Sequence, residues 1–204
     1  MQIDFIFSII ILIFSIVIHE VSHGYAAYMQ GDNTAKFAGR LTLNPLKHLE
    51  WFGSFILPIM SYFLGGFIIG WAKPVPFNPY NLRNQRWGEA IVAIAGPLSN
   101  TCIALFFGLL IRFGVLAQFG QAFVYVATMI VFINLILATF NLIPIPPLDG
   151  SKILFSILPY NMQNIRVFFE RNGLFLLIFF VFFLWQFVIP LVSLEFHLIT
   201  GMVA

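Results

Sequence analysis

The sequence HEVSH at residues 19–23 directly follows a predominantly apolar run over residues 3–18. An ionisable side chain near the centre of a lipid bilayer costs about 2.5 to 3.5 kcal/mol on insertion scales, so this cluster needs a compensating partner such as a bound cation. On a helix, His19 and His23 lie on one face about 6 Å apart along the axis, while Glu20 lies about 100° round. This spacing favours a Zn²⁺ site with hydrolytic chemistry, and the alternative is a packed polar patch without metal.

The composition places the chain among integral membrane proteins. It is 60% hydrophobic and 9% charged over 204 residues, which leaves room for several membrane spans and little else. The first apolar run contains Asp4 and has neither a basic amino-terminal region nor a small-residue cleavage site, so we expect a retained helix rather than a signal peptide. A single cysteine, Cys102, excludes an internal disulfide. The scattered net charge of +2 predicts no nucleic-acid partner.

Apolar segments predict an all-α polytopic membrane protein with about four transmembrane helices. We expect residues 1–204 to form a single membrane-embedded domain. The predicted helices cover residues 3–29, 88–112, 121–142 and 173–199, with a further apolar segment over residues 51–71.

The basic residues indicate the orientation of these helices. Nine of the ten lie in the segments that follow the first helix, flank residues 51–71 or precede the last helix, and Arg112 is the exception. By the positive-inside rule those segments are cytoplasmic and the amino terminus lies outside the cell membrane. The nine residues are Lys36, Arg40, Lys47, Lys73, Arg83, Arg86, Lys152, Arg166 and Arg171.

This orientation requires residues 51–71 to return to the side from which they enter. Pro58 and Gly65-Gly66 interrupt the segment, as is typical of a re-entrant hairpin whose irregular backbone is shielded by protein. An ordinary span is the alternative, since the segment is long enough to cross.

Two segments that flank the hairpin, residues 37–43 and 73–79, are predicted to be short membrane-associated β segments. Pro74, Pro76 and Pro79 lack the N–H groups of a ladder, so the second segment can lie only at an edge. These segments either form a small sheet beside an active site or are structured loops without a further role.

A catalytic zinc takes three protein ligands, so the histidine pair needs a third donor. Candidates include His48 and His197, but Asp149 is best placed, because it follows a proline-rich segment that ends a helix and it stands in apolar surroundings. The alternative is an ordinary Asp-Gly turn with Gly150.

At this point the chain resembles the site-2 protease family of intramembrane zinc metalloproteases. The resemblance extends from the first helix to about residue 155 and is carried by HEVSH, by AGPLSN at residues 95–100 and by NLIPIPPLDG at residues 141–150. It implies that His19, His23 and Asp149 bind one Zn²⁺, that Glu20 is the general base, and that Asn141 orients water or steadies the oxyanion.

Gly96-Pro97 and Asn100 in the second of these motifs are expected to shape the loop and pack the helices rather than to act in catalysis. The chain has no room for the PDZ or CBS domains of some family members, so the resemblance is to a minimal prokaryotic type.

The resemblance implies hydrolysis of peptide bonds within or near transmembrane segments of membrane proteins, as in regulated intramembrane proteolysis. Since His19 and His23 lie past the midpoint of the first helix, we expect the metal nearer the cytoplasmic face. Residues 37–43 are the candidate edge strand for an unwound substrate. A membrane metal transporter or channel, with the His/Asp cluster as a transit site, is the alternative; it fits less well because the polar groups cluster toward one face.

Overall fold

The computed structural model describes residues 2–48 and 73–202, together with the single positions 50, 56, 60 and 63. These residues are mostly helical, and none of them lies in a β-strand. The predicted hairpin over residues 51–71 lies outside the described residues, apart from three single positions.

Seven α-helices lie within residues 2–48 and 73–202. The last two, α6 and α7, are joined by the π-helical turn Phe180–Leu184 into one continuous helical stretch. The helices are α1 (Gln2–Met29), α2 (Thr34–Phe37), α3 (Gly88–Arg112), α4 (Gln121–Asn141), α5 (Asp149–Ile157), α6 (Gln163–Phe179) and α7 (Trp185–Thr200).

By length and composition, four helical stretches of the described residues can cross a membrane, which makes the chain a multi-pass membrane protein. They are Phe5–Met29, Gly88–Arg112, Gln121–Asn141 and Gln163–Thr200.

The last of these begins earlier than the predicted residue 173. Its first turns contain charged residues, and Arg166 Nε lies 2.8 Å from Glu170 Oε1 one turn later. A polar, amphipathic stretch therefore extends the apolar span without a break, which an apolar window does not detect.

The predicted β segments are wrong for the residues that the structure describes. Residues 37–43 begin at the last residue of α2, and the N–H groups of Gly39 and Arg40 bond back to Lys36 and Ala35 at 3.0 and 2.9 Å. Gly39 has a φ of +64°, so the chain ends a helix there and turns. Residues 73–78 lie in neither a helix nor a strand. The prediction that residues 37–43 act as an edge strand for a substrate is therefore also wrong.

Asp32 joins the end of α1 to the segment 73–78. Its fully buried carboxylate accepts hydrogen bonds from the N–H and hydroxyl of Thr34, the side chain of Asn81 and the N–H of Asn78. Burial by itself raises the pKa of Asp32, but the four hydrogen bonds together lower it by more. The pKa of Asp32 therefore lies below the ordinary value of an aspartate. The carboxylate thereby fixes the chain that leads into α3 beside the end of α1.

The helices pack around α3, which contacts α1, α4, α5 and α7. The largest buried apolar cluster joins α3, α4 and α7, whereas most other large apolar side chains are exposed on the outer surface. That surface fits a lipid environment, in which close packing of small residues holds helices together. The cluster comprises Ala104, Val131, Leu135, Val188, Val192 and Phe196.

Candidate metal centre

The structure brings His19, His23 and Asp149 together from distant parts of the chain. Nε2 of each histidine lies 3.1 Å from Oδ2 of Asp149, and one ligand atom from each residue lies within 4.8 Å of the others. All three side chains are buried. The two histidines come from successive turns of α1, and the aspartate is the first residue of α5. The helical spacing of α1 thus places two of the donors on one face, and the turn that leads into α5 places Asp149 beside them.

The outward nitrogen of each imidazole is engaged in a hydrogen bond. Nδ1 of His23 lies 2.7 Å from the carbonyl oxygen of Val92, and Nδ1 of His19 lies 2.6 Å from Oδ1 of Asn100. A carbonyl oxygen can only accept, so Nδ1 carries the proton in each neutral ring. The two Nε2 lone pairs then face the Asp149 carboxylate.

Three electron-pair donors that converge in a buried space fit a cation. Two imidazole nitrogens and one carboxylate oxygen are a common ligand set of catalytic zinc, and hydrogen bonds to the outward nitrogens are the usual support of histidine ligands. The residues present therefore fit Zn²⁺.

Gly96 lets α3 pass directly beside the two imidazoles. A Cβ added at this position would lie 2.6 Å from Nε2 of His19 and closer still to Nε2 of His23. Glycine is thus required for the close approach of backbone and ligands. The same helix also supplies Val92 and Asn100, so α3 forms one wall of the centre.

The turn before Asp149 is equally tight. A Cβ at Gly150 would collide with the backbone of Leu142 and Ile143, so the Asp-Gly pair packs against the chain that leaves α4. Lys152 follows one turn later, and its Nζ lies 3.6 Å from Oδ1 of Asp149. This cation favours the ionised carboxylate.

Glu20 lies between the two histidines in sequence but has a different partner. Its Oε2 accepts a hydrogen bond of 2.8 Å from the backbone N–H of Val75, in the segment 73–78. Val75 is buried, and its side chain packs beside Gly24 of α1. One carboxylate oxygen of Glu20 is thus held by the chain outside the three-residue cluster.

Asn141 is the last residue of α4, and its Nδ2 donates to the carbonyl oxygen of Leu137 at 2.9 Å. Among the contacts of the described residues, none joins Asn141 to His19, His23 or Asp149. The structure therefore places it on the path to Asp149 but not in the cluster.

Sequence reasoning missed the contact between Asn100 and His19, and it missed Asn134 altogether. Both amides are fully buried, and Asn100 Nδ2 lies 2.7 Å from Asn134 Oδ1. The available signal was an asparagine inside an apolar helix on each of α3 and α4, because such side chains need a polar partner.

Comparison with known proteins gives a consistent family assignment. The model of peptidase family M50 matches residues 7–184. "Putative zinc metalloprotease YwhC" of Bacillus subtilis is 38% identical over 191 residues, which cover 91% of this chain and 81% of that protein. "Putative zinc metalloprotease Rip2" of Mycolicibacterium smegmatis is 33% identical over 139 residues, 67% of this chain and 51% of that protein. "Zinc metalloprotease MJ0392" of Methanocaldococcus jannaschii is 29% identical over 149 residues, 73% of this chain and 33% of that protein.

No solved structure gives a significant match to the chain. The family model nevertheless covers most of the sequence, including both histidines and Asp149. The chain belongs to peptidase family M50, the site-2 protease family of intramembrane zinc metalloproteases.

Proposed function

We propose that this chain hydrolyses peptide bonds within or next to the transmembrane segments of other membrane proteins, with one Zn²⁺ held by His19, His23 and Asp149. The observation that carries the proposal is the convergence of these three donors in a buried site between helices long enough to span a membrane. The same geometry fits the family to which the chain belongs.

The proposed chemistry divides among few residues. When bound, Zn²⁺ supplies Lewis-acid chemistry, polarising a carbonyl and making water more acidic. Glu20 accepts the proton of the attacking water and then donates it to the leaving amine. The hydrogen bond from Val75 N–H to Oε2 supports this role, because it fixes one carboxylate oxygen and leaves the other for the proton.

Asn141 is proposed to orient the attacking water or to donate to the developing oxyanion. Its position at the end of α4, where the chain turns toward Asp149, supports this role. The amide must then exchange its bond to Leu137 for one to the reacting groups, and such rearrangement is common when an active site fills with substrate.

The protein is proposed to reside in the cell membrane with its metal centre toward the cytoplasm. The basic residues in the segments after α1, before α3 and around α5 support this orientation. His19 and His23 lie in the second half of α1, close to the end from which those segments depart.

Residues 51–71 are proposed to form a re-entrant hairpin. Support comes from the described residues on either side, because the N–H of Lys73 lies 2.8 Å from the carbonyl oxygen of His48. A single crossing would separate the two flanks by about 30 Å of hydrocarbon.

Comparative membrane proteomics tests the proposed function. Cells that express the wild type or Glu20→Ala are compared for single-pass proteins that stay uncleaved with the variant. Accumulation of such a protein, with its fragment seen only with the wild type, is the expected result. Identical membrane proteomes would contradict the proposal.

A further inference from the structure

A chain of buried hydrogen bonds continues from His19 away from the proposed metal. Oδ1 of Asn100 lies 2.6 Å from His19 Nδ1, Nδ2 of Asn100 lies 2.7 Å from Asn134 Oδ1, and Nδ2 of Asn134 lies 2.9 Å from Ser15 Oγ. Relative exposure is 0% for both asparagines and 4% for Ser15. We call Ser15, Asn134 and Asn100 the amide relay, and it joins α1, α3 and α4.

Backbone carbonyls fix the direction of the relay. Asn134 Nδ2 also donates to the carbonyl oxygen of Ile130 at 2.8 Å, and Asn100 Nδ2 to that of Ser15 at 3.3 Å. Because carbonyl oxygens only accept, each amide nitrogen must point toward these carbonyls, which turns Asn134 Oδ1 toward Asn100 and Asn100 Oδ1 toward His19. The orientation of Asn100 Oδ1, the acceptor for His19 Nδ1, therefore depends on the hydrogen bonds of Asn134 and Ser15.

Helix packing alone does not account for these side chains. An unpaired buried polar group costs about 1 to 3 kcal/mol, and Val131 and Leu135 show that α4 also packs against α3 and α7 through apolar residues alone. A fully paired relay that ends on a metal-site histidine instead resembles the outer-shell support that orients histidine ligands.

We propose that Asn134 and Ser15 are positioning residues of the metal centre. They hold the Asn100 amide so that it accepts from His19 Nδ1, which keeps the Nε2 lone pair free and aimed at the metal. This inference rests on the proposed zinc site. It also links α4, whose end leads to Asp149, through Asn100 to the ligand His19 on α1.

Zinc affinity of the purified full-length protein, measured by competition with a chelator, tests the proposal without substrate. Asn100→Leu should weaken zinc binding by about 10- to 100-fold, the usual loss for an outer-shell partner. Asn134→Leu should weaken it by a smaller factor. Because the residues act in series, the double variant should bind zinc no more weakly than Asn100→Leu alone.

Thr128→Val is the matched control on α4, because the Thr128 hydroxyl bonds to Val124 of its own helix at 2.9 Å. It should leave zinc affinity unchanged. Ser15→Ala and Ser15→Thr form a milder pair that keeps the helices packed. The alanine variant should weaken zinc binding, and the threonine variant, which retains a hydroxyl, should restore it.

The melting temperature of the metal-free protein separates positioning from packing. If Asn134→Leu and Ser15→Ala lower this temperature but keep wild-type zinc affinity, the proposal is overturned. Losses in affinity that add in the double variant would overturn it too. Wild-type zinc binding without proteolysis would contradict the proposed function and leave the relay standing.

Discussion

The backbone N–H of Val75 donates to Oε2 of Glu20 across 2.8 Å, which ties the proposed general base to a segment outside α1. That segment is itself fixed at both ends, by His48 O on Lys73 N–H and by Asp32 on Asn78 N–H. Glu20 is thus oriented by a segment that lies outside the membrane-spanning helices.

Replacing the donor of this bond tests the orientation of Glu20. Val75→Pro removes the N–H, and a residue that precedes a proline, as Val75 precedes Pro76, favours extended backbone that a proline can adopt. We expect turnover to fall about tenfold with zinc content unchanged, since general-base catalysis is worth about 10² to 10⁴ and only its alignment is lost. Val75→Ala keeps the N–H and is the control. Equal losses in the two variants would assign the effect to side-chain packing instead.

Close approach at Gly96 gives a second prediction. Gly96→Ala should displace the imidazoles and reduce zinc affinity at least tenfold, because the new Cβ would lie 2.6 Å from His19 Nε2. Gly108→Ala on the same helix meets Ile199 instead, so it should lower the melting temperature and spare zinc binding. Chelator competition and thermal unfolding of both variants separate the effects. Unchanged zinc affinity in Gly96→Ala would argue against the ligand geometry.

Asp149 and Asn141 should differ in the kind of loss they cause. Asp149→Ala deletes a ligand, so zinc binding and activity should fall together. Asn141→Leu should keep zinc yet lose about 10² to 10³ in turnover, the usual loss for one oxyanion donor. Elemental analysis beside a cleavage assay checks both. A zinc-free Asn141→Leu protein would move Asn141 into the metal site, and full activity would remove it from the mechanism.

Labelling of Asn81→Cys tests the proposed re-entrant hairpin. The background is Cys102→Ser, so that the introduced cysteine is the single thiol of the chain. We expect an impermeant thiol reagent to label the new cysteine in inside-out vesicles but not in intact cells. A cysteine at Gln118, which is exposed in the short connection between α3 and α4, is the control and should show the opposite pattern. Labelling of Asn81→Cys in intact cells would mean that residues 51–71 cross the membrane.

The sequence predicted the parts of the site that depend on local geometry. His19 and His23 share a helix face through spacing alone, and the prolines before Asp149 mark where the chain turns. The amide relay was beyond prediction, because whether Asn100 faces Asn134 depends on how α3 and α4 rotate against each other. The β segments failed because Gly39 and Asp32 provide turn and loop bonding that outweighs the β-like pattern of residues 37–43 and 73–79.

The zinc content and activity of purified Glu20→Ala test the central claim most directly, because this substitution separates the base from the metal ligands. Wild type, Glu20→Ala and Asp149→Ala are reconstituted with a single-pass membrane substrate, and zinc per chain is measured on the same samples. We predict one zinc per chain and no detectable cleavage for Glu20→Ala, against loss of both for Asp149→Ala. Cleavage by Glu20→Ala at the wild-type rate, or loss of its zinc in proportion to activity, would contradict the account.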